Sequence, residues 1–288
     1  MARGAGQGAP MKRSLLLLPA GLVLTIFLVV PYLDIGFISL HPSSATAPYA
    51  PGFTLRNYRD VLTNDYLLHQ IAVTLWIGFC TTSATLPLGY IVAWSLTHAS
   101  GRARAIQQAM VISPLLVGIV VRSYGWTILL GNNGVLNRAT RSLGLTKSVI
   151  PLMYNEFGII VALTHIFLPF MIIPIADTLR TADPALVLAA RSLGASRVSV
   201  FRRVILPLSG PGVQSGCILV FILSVSSYVT PMLIGGMRVK TLPMTVVNTL
   251  LDAFLWPAGA AQALILSACA IAILVIFLKL WPMKWNRL

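Results

Sequence analysis

Three charged residues lie inside long apolar runs of this sequence and are therefore the first candidates for contact with a solute: Asp34, Arg122 and Asp177. A charge among apolar residues is costly unless it is paired or serves a function. Asp34 could help to collect a cation, although solvation near the end of its run explains it equally well. Asp177 precedes Arg180 by three residues, which on a helix predicts an ion pair rather than a solute contact. Arg122 would repel a cation, and we predict that it pairs with Asp34 or Asp177.

Aromatic side chains in the same runs are the second group of candidates, because their faces attract ammonium groups. Tyr124 and Trp126 closely follow Arg122, and Tyr228 stands two residues before Thr230. Tryptophans near the ends of the runs are better explained by the aromatic belt of a membrane interface. The candidate solute path therefore consists of Asp34, Arg122, Tyr124, Trp126, Asp177 and Tyr228.

No catalytic or metal-binding pattern occurs in the sequence. It contains no Walker A signature, no His-Glu-x-x-His and no Gly-x-Ser-x-Gly, and its four histidines and three cysteines lack the spacing of metal ligands. We therefore predict neither an enzyme nor a metal site. No cofactor is expected on this chain.

The elements that must position these residues are membrane helices. Hydrophobic residues make up 57% of the chain and charged residues only 10%, which is far from the composition of a soluble domain. The charges separate apolar runs that can each hold one transmembrane helix, for which about 20 residues are needed. We predict an all-α integral membrane protein with six transmembrane helices, at 14–40, 68–97, 106–130, 157–179, 210–234 and 258–280, the third of which Pro114 interrupts.

Lys and Arg are more frequent on one side of this arrangement than on the other. When both termini are placed in the cytoplasm, the basic residues concentrate in the cytoplasmic segments, as the positive-inside rule requires. The net charge of +14 then reflects topology, and no nucleic-acid partner is predicted. The chain divides into a cytoplasmic tail 1–13, a first membrane helix with an external loop 14–65, a transmembrane domain 66–280 and a cytoplasmic tail 281–288.

The predicted cytoplasmic segment 183–207 is polar, basic and rich in helix formers. Asp183 is placed to cap a helix that begins at Pro184, since proline lacks the backbone donor that would be unsatisfied there. Gly194 can end this helix in the left-handed conformation, and Ser196 can cap a second short helix. Pro207 and the Gly-Pro-Gly that follows are expected to end the second helix. Two short helices that meet at a glycine outside the lipid indicate a surface held by another protein.

The spacing of small residues in this segment resembles the Glu-Ala-Ala loop of type I ABC importer permeases. Ala189, Ala190 and Gly194 match that signature, as does the final Leu-Pro. Leu188 stands where the family usually has Glu. The resemblance implies that the loop couples the permease to an ATPase subunit, in a cleft of which it sits. It identifies as coupling residues Ala189, Ala190, Gly194, Ala195, Ser196, Phe201, Leu206 and Pro207.

Further segments are similar to the spermidine/putrescine branch of this family, among them 122–126, 130–137, 168–170, 228–236 and 256–261. This resemblance implies ATP-driven import of a small polar solute by alternating access. The expected solute is a polyamine, and opines, aminophosphonates or another small amine or anion are the alternatives. The implied partners are a second permease subunit in a heterodimer, two ATPase subunits and a periplasmic or lipid-anchored solute-binding protein, among the lipids of a bacterial inner membrane.

Two other classes of protein remain open at this point. An ion-coupled secondary transporter or channel would also have interrupted apolar runs, but it leaves the pattern in 183–207 unexplained. A membrane-embedded enzyme would need converging polar residues inside the helices, and the sequence shows no such pattern. Dependence of transport on an ATPase distinguishes the importer from the secondary transporter.

Overall fold

The computed structural model describes residues 11–44 and 46–281, with side chains at residue 19 and from residue 21 onward. The predicted tails 1–13 and 281–288 lie almost wholly outside these ranges. The helices of the described part are α1 (Met11–Ser39), α2 (Arg56–Thr63), α3 (Asp65–His98), α4 (Gly101–Ile112), α5 (Ile119–Leu130), α6 (Val135–Ser142), α7 (Glu156–Thr181), α8 (Pro184–Ser192), α9 (Arg197–Val200), α10 (Leu206–Val225), α11 (Val229–Gly235), α12 (Leu242–Val247) and α13 (Trp256–Leu280).

Five helical segments in the described residues are long and apolar enough to cross a membrane. They correspond to the first, second, fourth, fifth and sixth predicted spans, and they are Gly21–Ser39, Asp65–His98, Glu156–Thr181, Arg197–Val225 and Trp256–Leu280. A bent pair of helices in the position of the third span brings the number to six if it makes a single crossing. The prediction of an all-α membrane protein is therefore confirmed.

The predicted interruption of the third span, 106–130, at Pro114 is confirmed. The segments Gly101–Leu116 and Ile119–Ser142 meet at an angle of 100°, and a 3₁₀ turn at Ser113–Leu116 ends the first of them. Pro114 causes the break, because proline removes a backbone donor and its ring collides with the carbonyl of the preceding turn. The second segment leaves in a new direction and carries Arg122, Tyr124 and Trp126.

The predicted end of the loop helix at Pro207 is also wrong. α9 continues through a π turn, Phe201–Ile205, into α10, so that Arg197–Val225 forms one helix. In the π turn the backbone N–H of Leu206 donates to the carbonyl of Phe201, five residues back. The wider turn accommodates the proline ring that follows, which would strain a regular α-helix. The segment 183–207 is therefore joined through a continuous helix to a membrane helix.

The predicted fifth span, 210–234, is interrupted near its C-terminal end. α10 ends at Val225, residues 226–228 leave the helix, and α11 begins at Val229. Serine hydroxyl groups compete here with the backbone ladder, since Ser226 Oγ donates to the carbonyl of Ile222. Tyr228, predicted inside a continuous span, therefore lies in a break between two helices.

The core of the molecule is the contact between α3, α7 and α10, while α1 packs mainly against α13. Glycines allow these helices to approach closely, as is common in membranes. A Cβ atom on Gly216 would lie 2.7 Å from Sδ of Met171, and one on Gly89 would lie 2.6 Å from Cγ of the same methionine. Met171 on α7 is therefore enclosed by glycines of α3 and α10.

Replacing Gly216 with Leu should destabilise the folded permease. The new side chain meets the backbone of Met171, with its Cβ 3.3 Å from Cα of that residue, and overpacking of this kind costs about 1–3 kcal/mol. Gly125→Leu is the matched control, because nothing lies within 4 Å of a Cβ atom on Gly125. We expect a lower melting temperature of the detergent-solubilised protein for Gly216→Leu alone. Equal melting temperatures of the two variants would contradict the packing described for Gly216.

The predicted external loop that follows the first membrane helix contains the short helix α2, Arg56–Thr63. Asn57 on this helix donates through Nδ2 to the carbonyls of Ser39 and His41, at 2.8 and 2.9 Å. These bonds satisfy two carbonyl groups at the end of α1. α2 is therefore tied to the end of the first membrane helix.

Candidate functional site

The segment 183–207 begins with the two helix caps that its sequence predicts. Oδ1 of Asp183 accepts a hydrogen bond of 2.9 Å from the backbone N–H of Ala185, and Pro184 occupies the first position of α8. Oγ of Ser196 accepts a bond of 3.3 Å from the N–H of Ser199 at the start of α9. Both predicted caps are therefore confirmed, and each satisfies a donor that a helix leaves free at its beginning.

Gly194 ends α8 in the left-handed conformation, with φ of +84°. The N–H of Ala195 donates to the carbonyl of Ala190 at 3.1 Å, and the N–H of Gly194 donates to that of Arg191 at 2.9 Å. These two bonds form a Schellman motif. In this motif the left-handed glycine stands four residues after the residue whose carbonyl accepts the longer-range bond, which here is Ala190. The spacing between Ala190 and Gly194 in the coupling signature thus has a backbone reason.

Phe201 holds the loop against the end of α3. Its ring meets those of Tyr90 and Trp94 edge to face, with centroids 5.8 and 6.4 Å apart. The hydroxyl of Tyr90 also lies 3.0 Å from Oγ of Ser209 on α10. Of the predicted coupling residues, Phe201 is therefore directed into its own chain, and it joins the loop to two core helices.

One face of α8 is apolar and largely accessible in the part of the chain that the structure describes. Positions 186, 189, 190 and 193 are three or four residues apart and so share a side of the helix. Leu186 is 48% exposed and Leu193 is 89% exposed, and Ala189 between them is also exposed. We call Leu186, Ala189, Ala190 and Leu193 the outer strip of α8. Contiguous apolar surface in an aqueous loop indicates a surface for another protein.

The opposite face of α8 borders a cleft beside the ends of α3 and α7. The cleft has a volume of about 780 Å³, and α8 contributes Pro184, Val187, Leu188 and Arg191 to its wall. Leu188, which stands where the signature usually has Glu, therefore lies on the cleft side and not in the outer strip. The two faces of α8 are thus available to different partners.

Arg122 on α5 is half-buried and does not form the predicted ion pair. Its Nη1 donates to the carbonyl of Ile166 at 3.0 Å, and within the described residues it makes no ion pair with Asp34 or Asp177. The reason is depth in the fold. Asp177 lies further along α7 than Ile166 by roughly 16 Å, at 1.5 Å per residue, and Asp34 lies on α1, which packs mainly against α13.

The predicted ion pair between Asp177 and Arg180 is confirmed. Nη1 of Arg180 lies 3.7 Å from Oδ1 of Asp177 near the end of α7, and both residues are exposed. Asp34 lies on α1, and its side chain is exposed. The structure therefore does not bring these two carboxylates together with the other candidate path residues.

The aromatic candidates lie on two adjoining elements, since α5 packs against α11. Trp126 donates through Nε1 to Nδ1 of His165 on α7, at 3.2 Å, while Tyr124 is 61% exposed. Tyr228 is half-buried in the break before α11 and lines a cavity of about 260 Å³ together with Met232 and other residues. The structure thus places Arg122, Tyr124, Trp126 and Tyr228 in one region.

Ser123 and Thr230 join α5 to α11 through a buried hydrogen bond of 2.8 Å between their hydroxyl groups. Both residues are fully buried, and bonds between membrane helices contribute about 0.6 kcal/mol on average. In a double-mutant cycle with Ser123→Ala and Thr230→Val, we expect a coupling energy of about 0.5–1.5 kcal/mol in thermal unfolding. Additive effects of the two substitutions would show that the bond does not stabilise this contact.

Residues 15–281 match the family described as "Binding-protein-dependent transport system inner membrane component". The chain belongs to this family. It is a multi-pass inner membrane permease subunit of an ABC importer, with the type I permease fold that the loop signature implied. ATP hydrolysis in such importers lies in separate subunits, so the permease is not itself an enzyme.

The permease is similar to curated bacterial relatives over most of its length. It is 34% identical over 218 residues to "Spermidine/putrescine transport system permease protein PotB" of Escherichia coli. The aligned residues cover 75% of this chain and 78% of the relative. The PotB protein of Haemophilus influenzae is 28% identical over 256 residues, or 89% of each chain.

Solved structures support the fold of the permease. A chain of "a bacterial ABC transporter involved in the import of the acidic polysaccharide alginate" superposes with a TM-score of 0.71 over 96% of both chains, at 16% identity. A chain of the MetNI methionine ABC transporter covers 73% of this permease and 95% of its own length, with a TM-score of 0.51 and 17% identity. At these identities the likeness concerns the fold alone.

Sequence reasoning missed three features of this permease site. The partners of Trp126 and Ser123, namely His165 and Thr230, are distant in sequence, and no local pattern indicates such pairs. The cleft behind α8 was missed for the same reason, because it forms only when α3, α4, α7, α8 and the helix Arg197–Val225 come together. The break at Tyr228 had a usable signal in the serines at 224, 226 and 227.

Proposed function

We propose that this permease imports a polyamine by alternating access, together with a second permease subunit, two ATPase subunits that use ATP and Mg²⁺, and a solute-binding protein. The named function of the PotB relatives supports the solute class. The proposed orientation has both termini and the segment 183–207 in the cytoplasm, as the distribution of Lys and Arg favours. The proposed transmembrane domain is 66–280, preceded by the first helix and external loop, 14–65.

The outer strip of α8 is the observation that carries the coupling role. Its exposed leucines flank two alanines, so that a partner surface can approach the helix closely. The neighbouring Schellman motif fixes the end of the helix, which keeps the strip in one orientation. We infer that the strip seats in a cleft of the ATPase subunit, with Ala189, Ala190 and Gly194 contributing shape rather than charge. Ala195, Ser196, Leu206 and Pro207 set the direction in which the chain leaves the docked helix.

A push on α8 has a direct route into the membrane. α9, the π turn and α10 form the continuous helix Arg197–Val225, which ends at the break that contains Tyr228. Phe201 ties the same loop to α3 through Tyr90 and Trp94. Closure of the ATPase subunits would therefore move α10 and α3 as rigid bodies and change the geometry at the break, as in alternating-access transporters with interrupted helices.

The aromatic side chains near that break suit an amine. Tyr124, Trp126 and Tyr228 could hold ammonium groups by cation–π attraction. Few carboxylates lie in this region, so that a polyamine would pass without being held tightly. Tight binding of the solute then resides in the solute-binding protein or the second permease, because this permease must release the solute rapidly. Asp34 and Asp177 do not contact the solute at this break. Asp34 is exposed on α1, and Asp177 is paired with Arg180.

A solute with an anionic group, such as an aminophosphonate or an opine, is the second candidate. Arg122 favours it, because this cation is half-buried and its Nε lacks a hydrogen-bond partner within the described residues. A phosphonate or carboxylate oxygen would satisfy that donor. The amino group of such a solute could still use the aromatic residues nearby.

Uptake by the complete transporter with wild-type permease or Arg122→Gln distinguishes the two solutes. If the solute is a polyamine, spermidine uptake should be retained or increased in the variant, because a repelling charge is removed. If the solute is anionic, uptake of 2-aminoethylphosphonate should occur in the wild type and fall roughly tenfold or more in the variant, since a lost charged hydrogen bond is worth about 1.5–3 kcal/mol. Spermidine uptake that falls to background in Arg122→Gln would contradict the polyamine assignment.

A further inference from the structure

The cleft behind α8 has an apolar floor at the cytoplasmic end of the membrane helices. Trp94 from α3, Leu179 from α7 and Val187 from α8 line it, as do Phe201 and Leu208 from the helix that follows. Trp94 lies near the end of its membrane helix, at the depth typical of interfacial tryptophan. The floor is therefore within reach of the inner leaflet of the bilayer.

Arginines from four different helices line the same cleft. Arg104 of α4, Arg180 of α7, Arg191 of α8 and Arg197 of α9 all line the cleft. Arg180 is paired with Asp177, whereas the other three arginines make no ion pair within the described residues. The cleft thus combines an excess of positive charge with apolar surface.

The acidic residues of the cleft leave this charge largely uncompensated. Asp183 is the one acidic residue among the described residues that line the cleft. Its Oδ1 already accepts the hydrogen bond that caps α8. Leu188, at the signature position that usually holds Glu, adds apolar surface instead of a carboxylate. The positive-inside rule explains arginines in cytoplasmic segments, but it does not require four helices to direct them to one cavity.

We propose that this cleft binds an anionic phospholipid of the inner leaflet. The phosphodiester lies among Arg104, Arg191 and Arg197, and the glycerol and upper acyl chains cover the apolar floor. Basic pockets between membrane helices on the cytoplasmic side bind lipid headgroups in this way. The ATPase is the less suitable occupant, because the cleft side of α8 is opposite the outer strip. The assignment rests on the cytoplasmic orientation proposed above, but not on the identity of the solute.

Native mass spectrometry of the intact transporter complex, titrated with phosphatidylglycerol or phosphatidylcholine, tests the proposal. Arg104→Gln combined with Arg197→Gln should weaken phosphatidylglycerol binding by roughly tenfold or more, since basic residues near the membrane surface attract anionic lipid headgroups. Arg202→Gln with Arg203→Gln is the matched control. It removes the same charge from exposed positions of the adjoining π turn that do not line the cleft, and it should leave binding unchanged.

Leu188→Glu is an independent variant that changes the charge of the cleft without touching its arginines. It adds a carboxylate among the arginines, and we expect it to exclude phosphatidylglycerol without removing any cation. Assembly of the complex is read from the same spectra, so that a variant that fails to assemble is recognised. In that event, photoactivatable phosphatidylglycerol on the wild-type complex should crosslink to peptides containing residues 94–104 and 179–201, and crosslinks confined to other regions would overturn the proposal.

Several outcomes would overturn the lipid assignment. One is an equal loss of binding in the cleft variant and in the Arg202/Arg203 control, which would indicate only general attraction to the surface. Displacement of the lipid by millimolar glycerol 3-phosphate would indicate a site for a soluble phosphate. Loss of the lipid whenever ATPase subunits are bound would indicate that the ATPase fills the cleft. Binding is measured without ATP or solute, so its failure is distinct from a failure of spermidine uptake.

Discussion

Replacing Gly194 with Pro is expected to leave the permease in the membrane but to separate ATP hydrolysis from uptake. Proline cannot adopt the φ of +84° found at this position, and it lacks the N–H that bonds to the carbonyl of Arg191. α8 then loses its Schellman end, and the outer strip loses its fixed orientation. A steric clash is not the cause of the expected uncoupling, because nothing lies within 4 Å of a Cβ atom built on Gly194.

The measurement is solute uptake per ATP hydrolysed in proteoliposomes that contain the complete transporter. We expect the ratio to fall by roughly tenfold or more, since a loss of about 1.4 kcal/mol in coupling is already a factor of ten. Gly194→Ala should have a smaller effect, because an L-residue in the left-handed region costs about 1–2 kcal/mol but keeps the backbone donor.

Gly144, on the predicted external side, offers a matched control. It ends α6 with φ of +68°, and the N–H groups of Gly144 and Leu145 donate to the carbonyls of Arg141 and Thr140, each at 3.0 Å. The same motif is therefore broken in Gly144→Pro, far from the proposed ATPase surface. Uptake per ATP should stay near the wild-type value in this control. Normal coupling in Gly194→Pro, or equal losses in both variants, would contradict the role of the loop.

Leu193→Asp is expected to abolish binding of the ATPase without unfolding the permease. Leu193 is 89% exposed in this chain, so that it contributes little to the stability of the permease alone. If its side chain is buried by the ATPase, its removal forfeits about 1.5–3 kcal/mol, and a carboxylate placed in an apolar contact costs more. The retained ATPase is quantified after affinity purification of the permease.

Leu143→Asp is the control for that substitution. Leu143 occupies the same position at the end of α6 that Leu193 occupies at the end of α8, and it is 72% exposed. Both variants add one negative charge next to a left-handed glycine. We expect Leu143→Asp to retain the ATPase, and retention of the ATPase by both variants would show that the outer strip is not the docking surface.

Local features of the loop could be predicted from the sequence because each depends on neighbouring residues. The cap by Asp183, the cap by Ser196 and the left-handed Gly194 all follow from side-chain or backbone preferences within a few positions. The pair Asp177–Arg180 follows from helical spacing in the same way. The apolar runs likewise predicted the membrane helices, because bilayer thickness sets their minimum length.

Features that depend on tertiary contacts or on competing backbone geometries could not be predicted in this way. Pro207 was expected to end a helix, but a π turn accommodates its ring. Pro114 was expected to interrupt the third span, but the size of the turn, 100°, depends on the packing of the two helices and could not be predicted. Arg122 was expected to find a carboxylate and instead meets the carbonyl of Ile166, because the depth of each charge depends on how distant helices pack.

The most direct measurement is uptake of spermidine by proteoliposomes that contain this permease, its partner permease and its solute-binding protein, with either active or hydrolysis-deficient ATPase subunits. We predict accumulation that requires both ATP and active ATPase subunits, and that falls to background in their absence. Undiminished accumulation with the hydrolysis-deficient subunits would contradict the assignment of this chain to ATP-driven import through the segment 183–207.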